Sequence, residues 1–275
     1  MKKHIYFIVR YSAYTSAQGS WQIGKGVTSD EYKVRLFSED RLSLHEKLFF
    51  SVTLPSLVPI SETVDMTALI FISDELPESY KKNLREAEKK YEWLEIAYAQ
   101  SDKSLNKQIE SHLRKKLEKI SDDLCFATVR LDDDDALAPN FGTQLNHYIR
   151  PELVGMGVTF PIGVFGVFNG ECYTSFYHYR KQNNAQGLAF INSTHPDAIS
   201  NLPMTVMSVG NHNSIDERYP TINDSSELMF LRTEHEGSDL IATGRVRNKE
   251  KMKPLSEDEV ACLKATFKEV KCLGV

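Results

Sequence analysis

The sequence has little cysteine and no excess of positive charge. Its four cysteines in 275 residues are far apart, without a C-x-x-C pair or a metal-finger spacing. A chain this long needs no disulfide framework, so we predict a reducing, cytoplasmic location. Lys and Arg number 33 against 38 Asp and Glu. Because a protein that coats nucleic acid needs a basic surface, we expect no nucleic-acid partner.

Long hydrophobic runs are also missing. No segment approaches the roughly 20 apolar residues that cross a bilayer, so we expect a soluble protein, or one at most peripheral to the inner membrane. The start of the chain imitates a signal peptide, but its apolar run, residues 5–9, stops at Arg10 and no small-residue cleavage site follows. A first buried strand is the better interpretation.

Three common catalytic and nucleotide-binding motifs are absent as well. The chain contains no G-x-x-x-x-G-K-[ST] phosphate loop, no G-x-G-x-x-G fingerprint and no G-x-S-x-G elbow. Kinases, dehydrogenases and serine hydrolases therefore lose their usual sequence support.

Buried strands alternate with helices in the first half of the chain. Continuous apolar runs rich in β-branched and aromatic residues predict strands at 5–9, 67–73, 94–99 and 124–131. Apolar residues at helical spacing predict helices at 40–54, 77–91 and 105–120. We expect the first helix to end at Pro55, because proline disfavours helix in the residue before it. The alternation predicts a mostly parallel sheet that binds ligands beyond the carboxyl ends of its strands.

The pattern changes after residue 150. Two strand-like runs, 163–168 and 172–179, flank Asn169-Gly170, a dipeptide suited to a tight hairpin turn. Further strands are predicted at 187–192 and 204–209. A capping box, Ser256-x-x-Glu259, opens a terminal helix over 255–272. With no repeat or low-complexity linker, we predict one α/β domain.

Four adjacent acids, Asp132 to Asp135, directly follow the strand at 124–131. Adjacent carboxylates repel one another, so the arrangement costs energy unless a cation or hydrogen-bond donors neutralise it. Mg²⁺ or Mn²⁺ is a natural partner, since these ions take one or two carboxylates together with waters and phosphate oxygens. In a strand-like geometry Asp132 and Asp134 point the same way. The alternative is a solvated acidic turn; the spacing of a calcium EF-hand loop does not match.

Several segments together resemble the bacterial rhamnosyltransferase family, whose members are glycosyltransferases of the GT-A type. An Asp-x-Asp acid cluster after a sheet strand is similar to the metal and nucleotide-sugar motif of that fold. The matching segments, in order, are LFSEDRL at 36–42, LPSL at 54–57, FISDELP at 71–77, RLDDDDAL at 130–137, GLA at 187–189, NH at 211–212 and LRTEH at 231–235. RLDDDDAL is fairly specific to the family, whereas the other segments are weak singly and indicate the family only through their order.

The resemblance implies a nucleotide-diphospho-sugar transferase fold, with a mixed sheet and flanking helices. Residues 1–135 would form a nucleotide-binding half and 136–250 an acceptor half. The donor would be a UDP-, GDP- or dTDP-linked sugar, and the acceptor a surface glycan or a lipid-linked glycan. The residues implied to meet the donor lie at strand ends: Arg10, Tyr11, Ser12, Ser73, Asp74 and Arg130.

The same resemblance implies roles for the acids and for a late histidine. Asp132 would face the ribose or donor sugar and share in the metal site, and Asp134 would bind the Mn²⁺ or Mg²⁺ that bridges the phosphates. His212 is the first choice for a histidine ligand and His235 the second. Arg218 could cover the diphosphate, although a surface ion pair is an equal alternative.

An inverting transfer needs a carboxylate that takes the proton of the acceptor hydroxyl. Asp197, at a predicted helix start, and Glu217 are the candidates for this base. Asp197 is also explained as an acid that favours the helix dipole. A retaining mechanism would need no such base, so both mechanisms stay open.

Two lysine-rich helix faces, at 81–90 and 114–119, could touch an anionic membrane that carries the acceptor, although interspersed acids favour a solvated face. Two rival functions remain. A metal-dependent nucleotidyl or phosphoryl transfer enzyme could use the same aspartates without a sugar acceptor. A glycan- or ion-binding module could use them only to hold a cation.

Overall fold

Two sheets organise the part of the chain that the computed structural model describes, residues 1–15, 26, 28–195, 202–236 and 252–273. The strands are β1 (Lys2–Tyr11), β2 (Met66–Ser73), β3 (Leu94–Ala99), β4 (Leu124–Asp132), β5 (Ala136–Leu137), β6 (Gly157–Thr159), β7 (Ile162–Phe168), β8 (Tyr173–Arg180), β9 (Ala189–Ser193), β10 (Thr221–Asn223) and β11 (Phe230–Glu234). The α-helices are α1 (Ser29–Leu36), α2 (Glu39–Leu48), α3 (Leu54–Ser61), α4 (Glu78–Lys90), α5 (Leu105–Leu117), α6 (Phe141–Tyr148) and a C-terminal helix (Glu257–Thr266).

The larger sheet has the strand order β10-β6-β9-β4-β1-β2-β3. β1 pairs in parallel with β2 and with β4, and β3 joins β2 in parallel, whereas β9 runs antiparallel to β4 and β6. The smaller sheet has the order β5-β11-β7-β8. Because β1, β2 and β4 point the same way, their carboxyl ends share one edge of the sheet. The predicted α/β class, a mixed sheet with flanking helices, is confirmed.

β1 is buried on both faces, as its continuous apolar run predicts. Ile5, Phe7 and Val9 face a core formed with α2, α3 and α6, while Tyr6 and Ile8 face a second core against α5. This alternation follows from the two-residue period of a strand. The strand therefore fixes two layers of helices around the sheet and holds its last residues, Arg10 and Tyr11, at the carboxyl edge.

The predicted end of a helix at Pro55 is wrong. α2 continues through a π-helix at Phe49–Thr53 into α3, and Pro55 lies in the first turn of α3. Since proline has no N–H, it cannot donate to the carbonyl of Ser51 four residues earlier. The backbone N–H of Lys271 donates to that oxygen instead, at 2.7 Å. The segment after the C-terminal helix thus stabilises the proline-containing turn.

The predicted strand at 204–209 is also wrong. This segment contains a 3-10 helix at Val206–Ser208, and the backbone N–H of Val206 donates to Oγ1 of Thr128 at 2.8 Å. Val206, Met207 and Val209 are nevertheless buried against α5. The apolar content was therefore a correct sign of burial, whereas a run this short does not determine the backbone conformation.

The hairpin forms as predicted, and the terminal helix begins at the predicted capping box but ends at Thr266, earlier than the predicted residue 272. β7 and β8 pair antiparallel around Gly170, which has φ +98°. The capping box is complete, because Ser256 Oγ accepts from the N–H of Glu259 and the Glu259 carboxylate accepts from the N–H of Ser256. None of the helices in the described ranges is long and apolar enough to cross a membrane.

Candidate functional site

The four adjacent aspartates alternate between the protein interior and the carboxyl edge of the sheet. The side chains of Asp132 and Asp134 are 21% and 17% exposed, whereas that of Asp133 is only 5% exposed. Asp135 is likewise buried. The run therefore divides into two carboxylates that a ligand can reach and two that are enclosed.

Asp133 and Asp135 are held by neighbouring elements. Oδ1 of Asp133 lies 3.1 Å from Nδ1 of His45 on α2. Asp135 accepts hydrogen bonds from Nε2 of Gln186 at 2.6 Å and from the backbone N–H of Thr233 at 2.8 Å. Burial, and next the charge of Asp134, raise the pKa of Asp135 well above its ordinary value. These two acids tie the turn after β4 to α2 and β11, which is a structural role.

Asp132 faces two arginines from neighbouring parallel strands. Arg10 on β1 is the strand partner of Asp132 on β4, and Nη2 of Arg10 lies 3.2 Å from Oδ1 of Asp132. Nη2 of Arg130 lies 3.3 Å from both carboxylate oxygens of Asp132. Burial alone would raise the pKa of Asp132, but the charges of Arg130 and Arg10 hold that pKa well below its ordinary range. Asp132 is thus an ionised carboxylate committed to cations that the protein itself supplies.

Asp134 meets His235, which follows β11. Nε2 of His235 lies 3.0 Å from Oδ2 of Asp134, and the histidine side chain is only 1% exposed. Although burial would raise the pKa of Asp134, the hydrogen bond and the charge of His235 lower it. The rings of His235 and His45 are edge-to-face at 5.2 Å. A carboxylate oxygen and an imidazole nitrogen therefore converge at the carboxyl edge, a donor set that suits a divalent metal.

A pocket of about 220 Å³ adjoins the two arginines that contact Asp132. Its polar lining includes Arg10, Arg130 and His212, and its apolar lining includes Leu188 and Met207. Burial first, and then the positive charges of Arg130 and Lys181, lower the pKa of His212 to about 4. The pocket is therefore electropositive, and His212 is placed in surroundings that repel a cation.

Arg218 supports the loop that carries His212. Its Nε donates to the carbonyl of Val209 at 2.9 Å and its Nη2 to the carbonyl of Asn211 at 2.6 Å. Gly210, with φ +88°, lies against this guanidinium, and a Cβ there would come within 3.1 Å of it. Its Nη1 also donates to Oγ of Ser214 at 3.4 Å. Arg218 thus holds the loop that carries His212, which is a third role beside the two considered from the sequence.

The other strand-end residues are placed as follows. Tyr11 is buried in the core, and its ring packs edge-to-face on Phe49. The Ser12 hydroxyl accepts from Nη1 of Arg41 at 2.9 Å, and the Ser73 hydroxyl accepts from a backbone N–H in its own turn. Asp74 is exposed beside that turn. Tyr11, Ser12 and Ser73 are thus buried at the carboxyl edge, and of the strand-end residues it is Arg10 and Arg130 that line the pocket.

Of the two candidates for a catalytic base, Glu217 is the one that the structure describes. Glu217 is exposed at the end of the 3-10 helix that His212 begins. Asp197 lies outside the described residues. Among the residues that the structure does describe, no three His, Cys, Asp or Glu side chains are grouped as a complete set of metal ligands. A metal held by Asp134 and His235 would take its remaining ligands from waters and substrate.

The sequence did not identify His45 and Gln186 as parts of this site. His45 lies in the helix predicted at 40–54, between Leu42 and Leu48, and a histidine among buried leucines is the signal that it has a buried polar partner. Gln186 carried no signal, because it belongs to none of the motifs or periodic patterns found in the sequence. Both side chains are buried and hold the enclosed aspartates.

A known protein family matches most of the chain. A family model described as "Putative rhamnosyl transferase" matches residues 4–245. No curated protein matches the chain significantly. Among solved structures, Staphylococcus aureus TarS 1–349 is 10% identical with a TM-score of 0.44, covering 85% of this chain and 60% of that one.

Two further structures are similar at this level. A "Putative Glucose-1-Phosphate Thymidylyltransferase" from Bacillus anthracis is 10% identical with a TM-score of 0.40, covering 89% of this chain and 96% of that one. A "putative nucleotide-diphospho-sugar transferase" from Desulfovibrio desulfuricans G20 is 12% identical with a TM-score of 0.29, covering 98% and 99%. All three scores lie below 0.5, so the assignment depends on the family match, which spans most of the chain. The chain belongs to the family described as "Putative rhamnosyl transferase", and it is a glycosyltransferase.

Proposed function

We propose that this glycosyltransferase moves a sugar from a nucleoside-diphosphate donor to a bacterial surface-glycan or lipid-linked acceptor, with the help of Mn²⁺ or Mg²⁺. The family name suggests that the sugar is a rhamnosyl group. The observation that carries the proposal is the convergence of the Asp134–His235 pair and the Asp132–Arg10–Arg130 cluster at the carboxyl edge of the sheet. One pair offers oxygen and nitrogen ligands to a metal. The other offers positive charge to a diphosphate.

The donor set supports a metal at Asp134 and His235, rather than at Asp132 and His212. Oδ2 of Asp134 and Nε2 of His235 are 3.0 Å apart, so one divalent ion could bind both after a small separation of the two atoms. Asp132 instead forms ion pairs with two guanidiniums, and His212 lies among cations. When bound, the metal would stabilise the charge that develops on the leaving nucleoside diphosphate.

The protein's own residues supply the rest of the binding chemistry. Arg10 and Arg130 present guanidinium groups, which match phosphate oxygens in geometry and charge. The apolar wall of the pocket, which includes Leu188 and Met207, keeps the local dielectric low and so strengthens these interactions. His45 holds Asp133, and the enclosed Asp133 in turn fixes the backbone between the two exposed aspartates.

For the acceptor step, Glu217 and Asp197 remain the proposed bases of an inverting transfer. Glu217 is exposed and so accessible to an acceptor that approaches from solvent. The exposed lysines of α4 and α5 would favour an acceptor carried at an anionic membrane surface.

Thermal-shift screening of nucleotide sugars tests the proposed function. Purified protein is heated with UDP-, GDP- and dTDP-sugars, each with Mn²⁺ and with a chelator, and the proposal predicts stabilisation by one nucleotide class that Mn²⁺ strengthens. His235→Gln should lose the Mn²⁺ effect, whereas His178→Gln, which removes an exposed histidine paired with Glu259, should retain it. Stabilisation by nucleoside triphosphates alone would favour nucleotidyl transfer, and stabilisation by Ca²⁺ alone would favour a binding module.

A further inference from the structure

Two of the four cysteines meet where the end of the described chain joins the β7–β8 hairpin. Cys172 lies in the hairpin turn, directly before β8 begins at Tyr173, and Cys272 follows the C-terminal helix. The backbone N–H of Tyr173 donates to the carbonyl of Cys272 at 3.0 Å. The two cysteines are therefore neighbours in the fold, although they are far apart in the sequence.

This hydrogen bond limits the separation of the two cysteines. The Cα of Cys172 belongs to the same planar peptide unit as the donor N–H, and the Cα of Cys272 carries the accepting carbonyl. Standard backbone dimensions then place the two Cα atoms within about 7 Å of each other. Disulfides join cysteines whose Cα atoms are about 4.4–6.8 Å apart. The pair thus lies at bridging distance, and both thiols are free in this structure.

Neighbouring contacts hold the C-terminal segment, residues 252–273, in place. The backbone N–H of Lys271 donates to the carbonyl of Ser51 at 2.7 Å, directly before Cys272. At the other end of the segment, the N–H of Leu255 donates to the carbonyl of Phe176 on β8 at 3.0 Å. Because the fold already keeps the two cysteines side by side, a bridge between them requires little further ordering of the chain.

The surroundings of the cysteines favour oxidation of this pair. Cys172 and Cys272 are both partly exposed, so a small oxidant can reach them. Cys125 on β4 is buried instead, and burial raises the pKa of its thiol to about 11. Since the thiolate is the form that reacts, Cys125 is protected. Cys262 is exposed on the C-terminal helix and provides a control.

We propose that Cys172 and Cys272 form a reversible oxidation site, at which hydrogen peroxide produces an intramolecular disulfide. The thiolate of one cysteine attacks a peroxide oxygen and breaks the O–O bond, which gives a sulfenic acid and a hydroxide that becomes water on protonation. The sulfur of the second cysteine then attacks the sulfenic sulfur, and the hydroxyl group leaves as water with the proton of the second thiol. Two thiols and one peroxide thus give one disulfide and two waters.

The bridge would fasten the C-terminal segment to the hairpin. It closes a long loop of the chain, and such a bridge stabilises a protein mainly by restricting its unfolded state. For a chain of this size the expected rise in Tm is roughly 4–16 °C. A dithiol reductant should reverse the rise, because thiol–disulfide exchange restores both cysteines. The inference does not depend on the proposed function.

Peptide mass spectrometry under non-reducing conditions tests the site. The full chain is treated with hydrogen peroxide, and wild type should become lighter by two hydrogen atoms, yield a linked peptide that contains Cys172 and Cys272, and melt at a higher temperature. Cys172→Ser and Cys272→Ser should each lose both the linked peptide and the rise in Tm. The matched control Cys262→Ser should retain both.

Serine is close to cysteine in size, so the reduced variants should melt near reduced wild type. The inference would be overturned by the absence of the linked peptide, by a bridge from either cysteine to Cys262, by a bridge between two copies of the chain, or by oxidation only to sulfinic or sulfonic acid. Sugar transfer is measured separately on the reduced protein, so the oxidation site and the proposed function can fail independently.

Discussion

Replacement of Asp135 by alanine should destabilise the fold, even though Asp135 belongs to the acidic run that marks the site. Its carboxyl group is buried and accepts two hydrogen bonds, from Nε2 of Gln186 at 2.6 Å and from the backbone N–H of Thr233 at 2.8 Å. Alanine would leave both donors buried without a partner. It would also remove a direct connection between the turn after β4 and β11 of the smaller sheet.

The size of the effect follows from these two contacts. An orphaned buried donor costs about 1–3 kcal/mol, so two of them together with the small cavity should cost roughly 3–5 kcal/mol. For a chain of this size each kcal/mol lowers Tm by about 2–4 °C. We therefore expect Asp135→Ala to lower Tm by roughly 6–20 °C. The free-energy cost of roughly 3–5 kcal/mol is a large part of the about 5–15 kcal/mol by which most proteins are stable.

A matched variant separates this explanation from a simple loss of charge. Asp135→Asn keeps an oxygen for the N–H of Thr233. Once the side-chain amide of Gln186 turns over, the new amide can donate to Oε1 of Gln186, which is buried without a partner. Because the pKa of Asp135 is raised, this neutral replacement resembles the protonated acid. Thermal and urea unfolding should show Asp135→Asn near wild type. A Tm for Asp135→Ala within about 2 °C of wild type would refute the reasoning.

Two further predictions concern packing and pH. Hydrogen bonds from His112 and Lys116 lower the pKa of Glu95 to about 2, so the contribution of Glu95 to stability is complete above its ordinary pKa of 4.5 and is lost as the pH falls through about 2. After allowance for solvent screening, Glu95→Gln should cost about 1 kcal/mol at pH 7. The melting temperatures of variant and wild type should converge near pH 2. Gly163→Ala would place a Cβ 2.3 Å from the ring of Phe230, and this overpacking should cost about 1–3 kcal/mol; urea unfolding that matches wild type would show that the ring has room to move.

Much of the sheet could be predicted because a strand that is buried on both faces has a continuous run of apolar residues in its sequence. The continuous apolar runs of β1, β2 and β4 indicated parallel strands, and the stripe of α5 indicated the helix that covers them. The helix end predicted at Pro55 was wrong because the carbonyl of Ser51 accepts its hydrogen bond from the backbone N–H of Lys271, which is distant in sequence. No local pattern reveals such a partner. The strand predicted at 204–209 was wrong because a short apolar run fits a strand and a buried 3-10 turn equally well.

The candidate site was predictable in position and only partly in detail. The acids after β4 and Arg10 at the end of β1 follow from the rule that ligands bind at the carboxyl edge of parallel strands. Which aspartate meets which cation depends on tertiary contacts: Asp133 meets His45 on α2, and Asp134 meets His235 after β11. The family resemblance placed His212 before His235 as a histidine ligand, and the sequence carries no information on the arginines and lysine whose charges lower the pKa of His212.

The most direct test of the account is calorimetric titration of the nucleoside diphosphate identified by the screen into wild type and Asp134→Asn, each with Mn²⁺ and with a chelator. Wild type should bind the nucleoside diphosphate more tightly with Mn²⁺, whereas Asp134→Asn should keep its fold and bind equally in both conditions. The variant should also turn over about two orders of magnitude more slowly, because the leaving diphosphate loses a charge stabiliser worth several kcal/mol. Equal binding by wild type in both conditions, or full Mn²⁺ dependence in Asp134→Asn, would contradict the assignment of Asp134 as the metal-binding carboxylate.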